Sequence, residues 1–139
     1  PITTADLSYT KKLEQMIHSH IMSVTSNTAV GAAMVFEIRT LLSVTESEKN
    51  NNQPTPEFIE RRDHFFERRD YFESLFRNTI KAGIMAGEFR QVDHAIVAKA
   101  MLGAHNWVGI WYKDGGRLTG EDVASVMIDT FLTSLKVSE

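Results

Sequence analysis

Residues 105–132, HNWVGIWYKDGGRLTGEDVASVMIDTFL, decide the fold of this 139-residue chain. Apolar and aromatic residues recur at helical spacing on both sides of Asp114-Gly115-Gly116. Upstream, Asp93 is a plausible N-cap for a helix over about 93–113. Downstream, Thr119 is another, with Asp122 three residues on, for a helix over about 119–136. A glycine loop this short is expected to make the two helices antiparallel neighbours.

A wheel at 100° per residue gives the first of these helices one narrow polar face, Lys99, Asn106 and Lys113. The rest divides into two apolar stripes. One holds Ile96, Ala100, Gly103, Trp107, Ile110 and Trp111; the other holds Val97, Met101, Ala104, His105, Val108 and Tyr112. The last helix fills a wide apolar arc with Val123, Ala124, Met127, Ile128, Phe131, Leu132 and Leu135. A monomer of this size rarely covers such arcs on both of its last two helices. The expectation is a homodimer built as a four-helix packing across a two-fold axis. Its interface would draw on Gly103, Trp107 and Trp111 from one helix and Val123, Met127, Phe131 and Leu135 from the other. Which stripe of the 93–113 helix meets the partner is not legible from the wheel.

Working outward, the remaining chain also reads as helix. Residues 5–25 place Leu13, Met16, Ile17, His20, Ile21 and Val24 on one face, with Thr3 or Thr4 as cap. Residues 28–44 are apolar nearly all round, which marks a central helix. Only Glu37 and Arg39 interrupt it. A polar loop, SEKNNNQ at 47–53, follows. Thr55-Pro56-Glu57 then starts a long helix over about 56–85, with Pro at its first position and an acid in its first turn. Gly87 closes it as a left-handed cap. This helix carries a heptad-spaced repeat, ERRDHF at 60–65 and ERRDYF at 67–72, which places Phe58, Phe65 and Phe72 seven apart. Two heptads fall short of the ~3–4 of a coiled coil, so the repeat reads as a Phe stripe on the core with a charged outer face. Glu73/Arg77 is one expected surface pair on that face.

The reading is therefore all-α: an antiparallel bundle of about five helices in one domain over 1–139, its last two helices forming a dimeric four-helix bundle. A length of 139 residues fits one compact domain, and 42% apolar with 24% charged residues argues against disorder. A formal net charge of −3 offers no basic face for nucleic acid. The chain has no cysteine, hence no disulfide framework, no thiolate nucleophile and no Cys-based zinc site. No apolar run approaches the ~20 residues that span a bilayer, and the first residues, PITTADLSYTKK, lack the pattern of a signal peptide. A cytoplasmic location is the expectation. Pro1 in place of Met points to a processed or truncated product.

The segments FRNTIKAGIMAGEFR (76–90) and VDHAIVAKAMLGAHNWVGIWYKDGGRLTGEDVASVMIDTFLTSL (92–135) resemble the C-terminal domain of TetR-family transcriptional regulators. The shared features are Ala82-Gly83 with Gly87 and Phe89, then Leu102-Gly103, Asn106-Trp107 and Trp111-Tyr112. Gly115, Gly116, Leu118, Thr119, Glu121, Val123 and Ala124 complete them. The match is good over about 72–135 and architectural over 1–70. The resemblance implies dimerisation through the last two helices and a small-molecule pocket in the helical core. It also implies a DNA-binding helix-turn-helix ahead of the first helix, which this sequence lacks, so DNA would be contacted only through that missing N-terminal domain. The NW…WY..GG.LT.E form is similar to members that regulate fatty-acid or sterol-ring catabolism, whose effectors are acyl-CoA thioesters.

Chemistry-bearing groups are sparse. His18 and His20 diverge on a helix, and His64, His94 and His105 lack partners at i+3 or i+4. No metal-binding spacing, GxSxG or phosphate-cradling glycine loop occurs. No enzyme activity, metal or cofactor is expected. A pocket for a small apolar or amphipathic effector would draw on Met16 and His20, Phe36 and Arg39, Phe65, Arg69, Phe72 and Phe76, and Met101 and His105. Arg39 or Arg69 would hold an anionic group if turned inward. Core packing is the plainer role for each Phe, Met and His, and a surface ion pair for each Arg. In the whole regulator, ligand would shift the first helix and with it the DNA-binding domain. The competing reading is a stand-alone dimeric helical interaction module without ligand.

Overall fold

The computed structural model describes residues 7–26 and 55–138. Within them it has four helices and no strand beyond one isolated bridge: α1 (Tyr9–Ser26), α2 (Pro56–Met85), α3 (His94–Trp111) and α4 (Gly120–Ser134). The expected helix over 28–44 lies outside the described residues, and so do Phe36 and Arg39.

Each helix starts where the local chemistry directs. Ser8 caps α1, its Oγ accepting from Lys11 N at 3.1 Å, so the start falls at Tyr9 rather than at the expected Ala5. Pro56 opens α2 as expected, where its missing N–H costs nothing. Asp93 caps α3 by accepting from Ala95 N and Ile96 N. Thr119 and Asp122 form a reciprocal capping box at α4. At the other end of α2, Gly87 adopts φ +78°. Glu88 N and Phe89 N then donate back to Gly83 O, satisfying a carbonyl the helix leaves open. Gly115 likewise takes φ +76° in the α3–α4 turn.

Helix α1 is the centre of the assembly. It packs against α2, α3 and α4, and its Leu13, Ile17 and Ile21 are fully buried. Helices α1 and α4 run antiparallel. Thr25 meets Gly120 at the start of α4, whereas Thr10 shares a depression with Leu132 and Thr133 near its end. The short α3–α4 connection does not bring those two backbones closest together: α4 packs chiefly on α1. Helices α3 and α4 meet instead through side chains such as His105 and Phe131, whose rings are 5.8 Å apart.

Among the described residues of α2 the buried ones are Glu73, Phe76, Ile80 and Gly83, spaced three, four and three apart along one face. Phe72 lies at the edge of that stripe and is 38% exposed. Glu73 does not form the expected surface pair with Arg77. It is buried against α3, with Lys99 Nζ 2.9 Å from its Oε1. That oxygen has no well-oriented hydrogen bond, so the contact is a charge pairing without a directed donor.

The ends of the described chain are tied together through the α2–α3 turn. Glu88 accepts from Tyr9 N at 3.2 Å and from Thr10 N and Oγ1 at 3.1 and 3.2 Å. On the other side, Phe89 bridges Lys136, Arg90 N donates to Leu135 O at 2.9 Å, and Arg90 Nε donates to Ser134 O.

Candidate functional site

Helix α1 turns Leu13, Ile17, Ile21 and Val24 into the core. The residues beside that stripe form the wall of a groove of about 540 Å³ between α1 and α2. Lys12, Gln15, Met16, Ser19, His20 and Ser23 line it from α1. Phe72, Leu75, Phe76 and Thr79 line it from α2. The spacing on α1 is i, i+3, i+4, i+7, i+8, i+11, one continuous helical face. Helix α2 answers with apolar surface: Phe72 and Leu75 are partly open to the groove, and Phe76 forms its floor. Met16 also meets Thr79, whose Oγ1 is 3.5 Å from Sδ.

His20 lines the groove, and a second histidine stands behind it. His20 Nδ1 lies 3.0 Å from His105 Nδ1 on α3. Phe72 and Phe76 approach His20 at ring distances of 5.0 and 6.1 Å, and Phe131 approaches His105 from α4. Burial pulls the pKa of His20 down to about 4, with a hydrogen bond to Asn106 acting the other way. Burial, and then His20 itself, pull His105 down to about 3. Both rings are therefore neutral near pH 7, and one must donate to the other. His105 is fully buried and its Nε2 has no partner. Donation from His105 Nδ1–H leaves that Nε2 an unpaired acceptor. The reverse tautomer would leave it an unpaired buried N–H, which is the costlier choice. The assignment thus favours His105 as donor and His20 as acceptor.

A second feature lies on the outside of α3. Met101, His105 and Val108 of one predicted stripe are fully buried. The other stripe faces out: Ile96 is 64% exposed, Trp107 55%, and Ile110 and Trp111 are each 43% exposed. Ala100 and Gly103 lie between them, and a Cβ on Gly103 would meet nothing. The structure thus settles which stripe belongs to the chain's own core.

The family described as "Tetracyclin repressor-like, C-terminal domain" matches residues 59–135, more than half of the chain. The chain belongs to this family. Among solved structures, a transcriptional regulator of the TetR/AcrR family from Thermobifida fusca YX-ER1 superposes with a TM-score of 0.70 at 18% identity. The alignment covers 94% of this chain and 61% of that one, so the chain spans about three-fifths of the regulator's length. At that identity the likeness speaks for the fold. No curated protein matches the chain.

Within this TetR-like domain, the residues predicted for the pocket separate into groups. Met16, His20, Phe72 and Phe76 come together on the groove, and His105 stands directly behind His20. Met101 is fully buried in the core, and Arg69 is exposed on α2 outside the groove. Phe36 and Arg39 lie outside the described residues, as does the side chain of Phe65. Of the residues predicted for the interface, Gly103, Trp107 and Trp111 share the exposed face of α3. Val123 and Leu135 do not: they are 3% and 1% exposed within the chain's own core, because α4 turns them toward α1. Met127 and Phe131 are partly buried against the same core.

Sequence reasoning missed Lys12, Gln15, Ser19, Ser23, Leu75 and Thr79. Their helical register beside the α1 core stripe was readable, but small polar residues there look like solvent face until α2 is placed opposite. It also missed the His20–His105 pair, because spacing along one helix cannot reveal a partner 85 residues away. Among the described residues no group of three or more metal-ligating side chains assembles, and no helix is long and apolar enough to cross a membrane.

Proposed function

We propose that this TetR-like domain is the effector-sensing and dimerisation part of a transcriptional repressor; that it binds a small, largely apolar ligand in the α1–α2 groove; and that it relays occupancy to a DNA-binding domain joined ahead of α1. The observation that carries the reading is the position of α1. One helix supplies a wall of the groove and packs against all three other described helices. A ligand that prefers one placement of α1 therefore biases the whole domain, by as much as its affinity differs between the two placements. The outer stripe of α3 supports the dimer: a contiguous apolar face rimmed by polar residues is what a two-fold interface uses. Acyl-CoA-like molecules are one effector class in keeping with the sequence resemblance. The domain acts by binding, without catalysis, inside the cell.

The test is operator binding by the complete regulator, with and without a ligand found by thermal shift on this domain. A bound ligand should raise the melting temperature as it exceeds its dissociation constant, and should change operator affinity by about 5–150-fold. A ligand that stabilises the domain and leaves operator affinity unchanged refutes the relay.

A further inference from the structure

Resting on the effector-sensing reading, we propose that the α1–α2 groove takes an amphipathic organic monoanion. Its charged head lies at Lys12, and its apolar body lies against Phe72, Leu75 and Phe76.

The distribution of charge around the groove carries the inference. Among the described residues that line it, Lys12 is the one ionised side chain and none is a carboxylate. A cationic ligand would find aromatic faces but no counter-charge among these residues. An anion finds Lys12, whose ammonium sits 4.9 Å over the Tyr9 ring at the N-terminal end of α1. Glu88 is near Lys12, yet its oxygens are directed at the first turn of α1 and it lies outside the groove lining.

The inner end excludes charge. His20 is paired with His105 at 3.0 Å, and aromatic rings surround the pair. A second proton on His20 would fall on its accepting Nδ1 and break the N–H···N bond. An ionised head placed there would lose its hydration and gain no ionic partner. Lys12 and His20 are eight residues apart on α1, about 12 Å at 1.5 Å per residue. A ligand of that reach puts its head at the rim and its body inside. Gln15 and Ser19 between them suit a linking ester or amide, and the exposed face of Phe72 suits the body.

Calorimetry on the 139-residue chain with decanoate, decanamide, 2-naphthoate and 2-naphthamide tests this. The carboxylate of at least one body should bind about tenfold more tightly than its amide, the scale of one charge-assisted hydrogen bond. The body that binds separates aliphatic from aromatic effectors. Lys12→Met should abolish the preference, bringing carboxylate and amide to equal affinity, while Lys12→Arg should retain it. Lys12 is outside the buried core, and circular dichroism melts confirm that each variant folds. Equal affinity for carboxylate and amide, or a preference that survives Lys12→Met, overturns the anion while leaving a ligand groove in place. Binding by none of the four overturns the inference itself, and the operator experiment above then judges the wider reading separately.

Discussion

His20 and His105 share one N–H···N contact of 3.0 Å across α1 and α3, with both rings neutral at pH 7. The sign of the resulting pH dependence follows from linkage. Both folded pKa values lie below the ordinary 6.5, so the unfolded chain binds protons that the folded one refuses. Stability is at its plateau above pH 6.5 and falls as pH drops below it, levelling only near pH 4 for His20 and near 3 for His105. The limiting slope is about 1.4 kcal/mol per pH unit for each histidine. Urea unfolding between pH 7 and 5 should show this fall. In His105→Gln it should be shallower, because one of the two protons no longer counts. A slope unchanged by that substitution would refute the assignment. Glu88 and Asp122, held below the usual carboxylate range, weaken the fold only at lower pH, as it falls past their ordinary values of 4.5 and 3.8.

Gly83 is required by Phe89. A Cβ at position 83 would run into Cδ2 of that ring, which is buried and cannot swing clear. Gly83→Ala should cost about 1–3 kcal/mol, the usual penalty of overpacking. Phe89→Leu in the same chain should recover part of that loss. Chemical denaturation of the two single variants and the double variant checks it; strict additivity would show that the contact is not the cause.

Glu88 holds the start of α1 from the α2–α3 turn. Glu88→Ala should cost about 1 kcal/mol, as loss of a cap does. Amide exchange should accelerate at Tyr9 and Thr10 while staying slow at Ile17 and Ile21. Uniform acceleration along α1 would instead mean global destabilisation and no local anchor.

How much of this was legible in the sequence depends on the range of each interaction. The starts at Pro56, Asp93 and Thr119 were readable because capping is settled within three or four residues. Gly87 and Gly115 were readable as turn positions for the same reason. The start of α1 was misplaced, since several hydroxyl residues precede it and the choice of Ser8 is reinforced by Glu88, far along the chain. The partition of α3 into an inner and an outer stripe was visible, but not which was which: both are apolar, and only the placement of α1 and α2 decides. Val123 and Leu135 show the converse. Their apolar arc looked like surplus surface, and α1 turned out to cover it. The groove was half legible, its aromatic wall being recognisable and its polar wall resembling solvent face.

Trp107 offers the sharpest test of the dimer. It is 55% exposed, and its neighbours on the outer stripe, Ile110 and Trp111, are each 43% exposed. Large aromatic residues at the centre of an apolar patch are the usual hot spots of an interface, where truncation costs ~2 kcal/mol or more. Trp107→Glu should therefore shift the chain from dimer to monomer at micromolar concentration, read by size-exclusion with light scattering. Its circular dichroism spectrum should stay helical, because the side chain contributes little to the core. Leu135→Glu is the matched control. That residue is 1% exposed, so a charge there should unfold the chain rather than merely separate subunits. A monomeric parent chain, or a Trp107→Glu variant that remains dimeric, would remove the outer face of α3 from the interface.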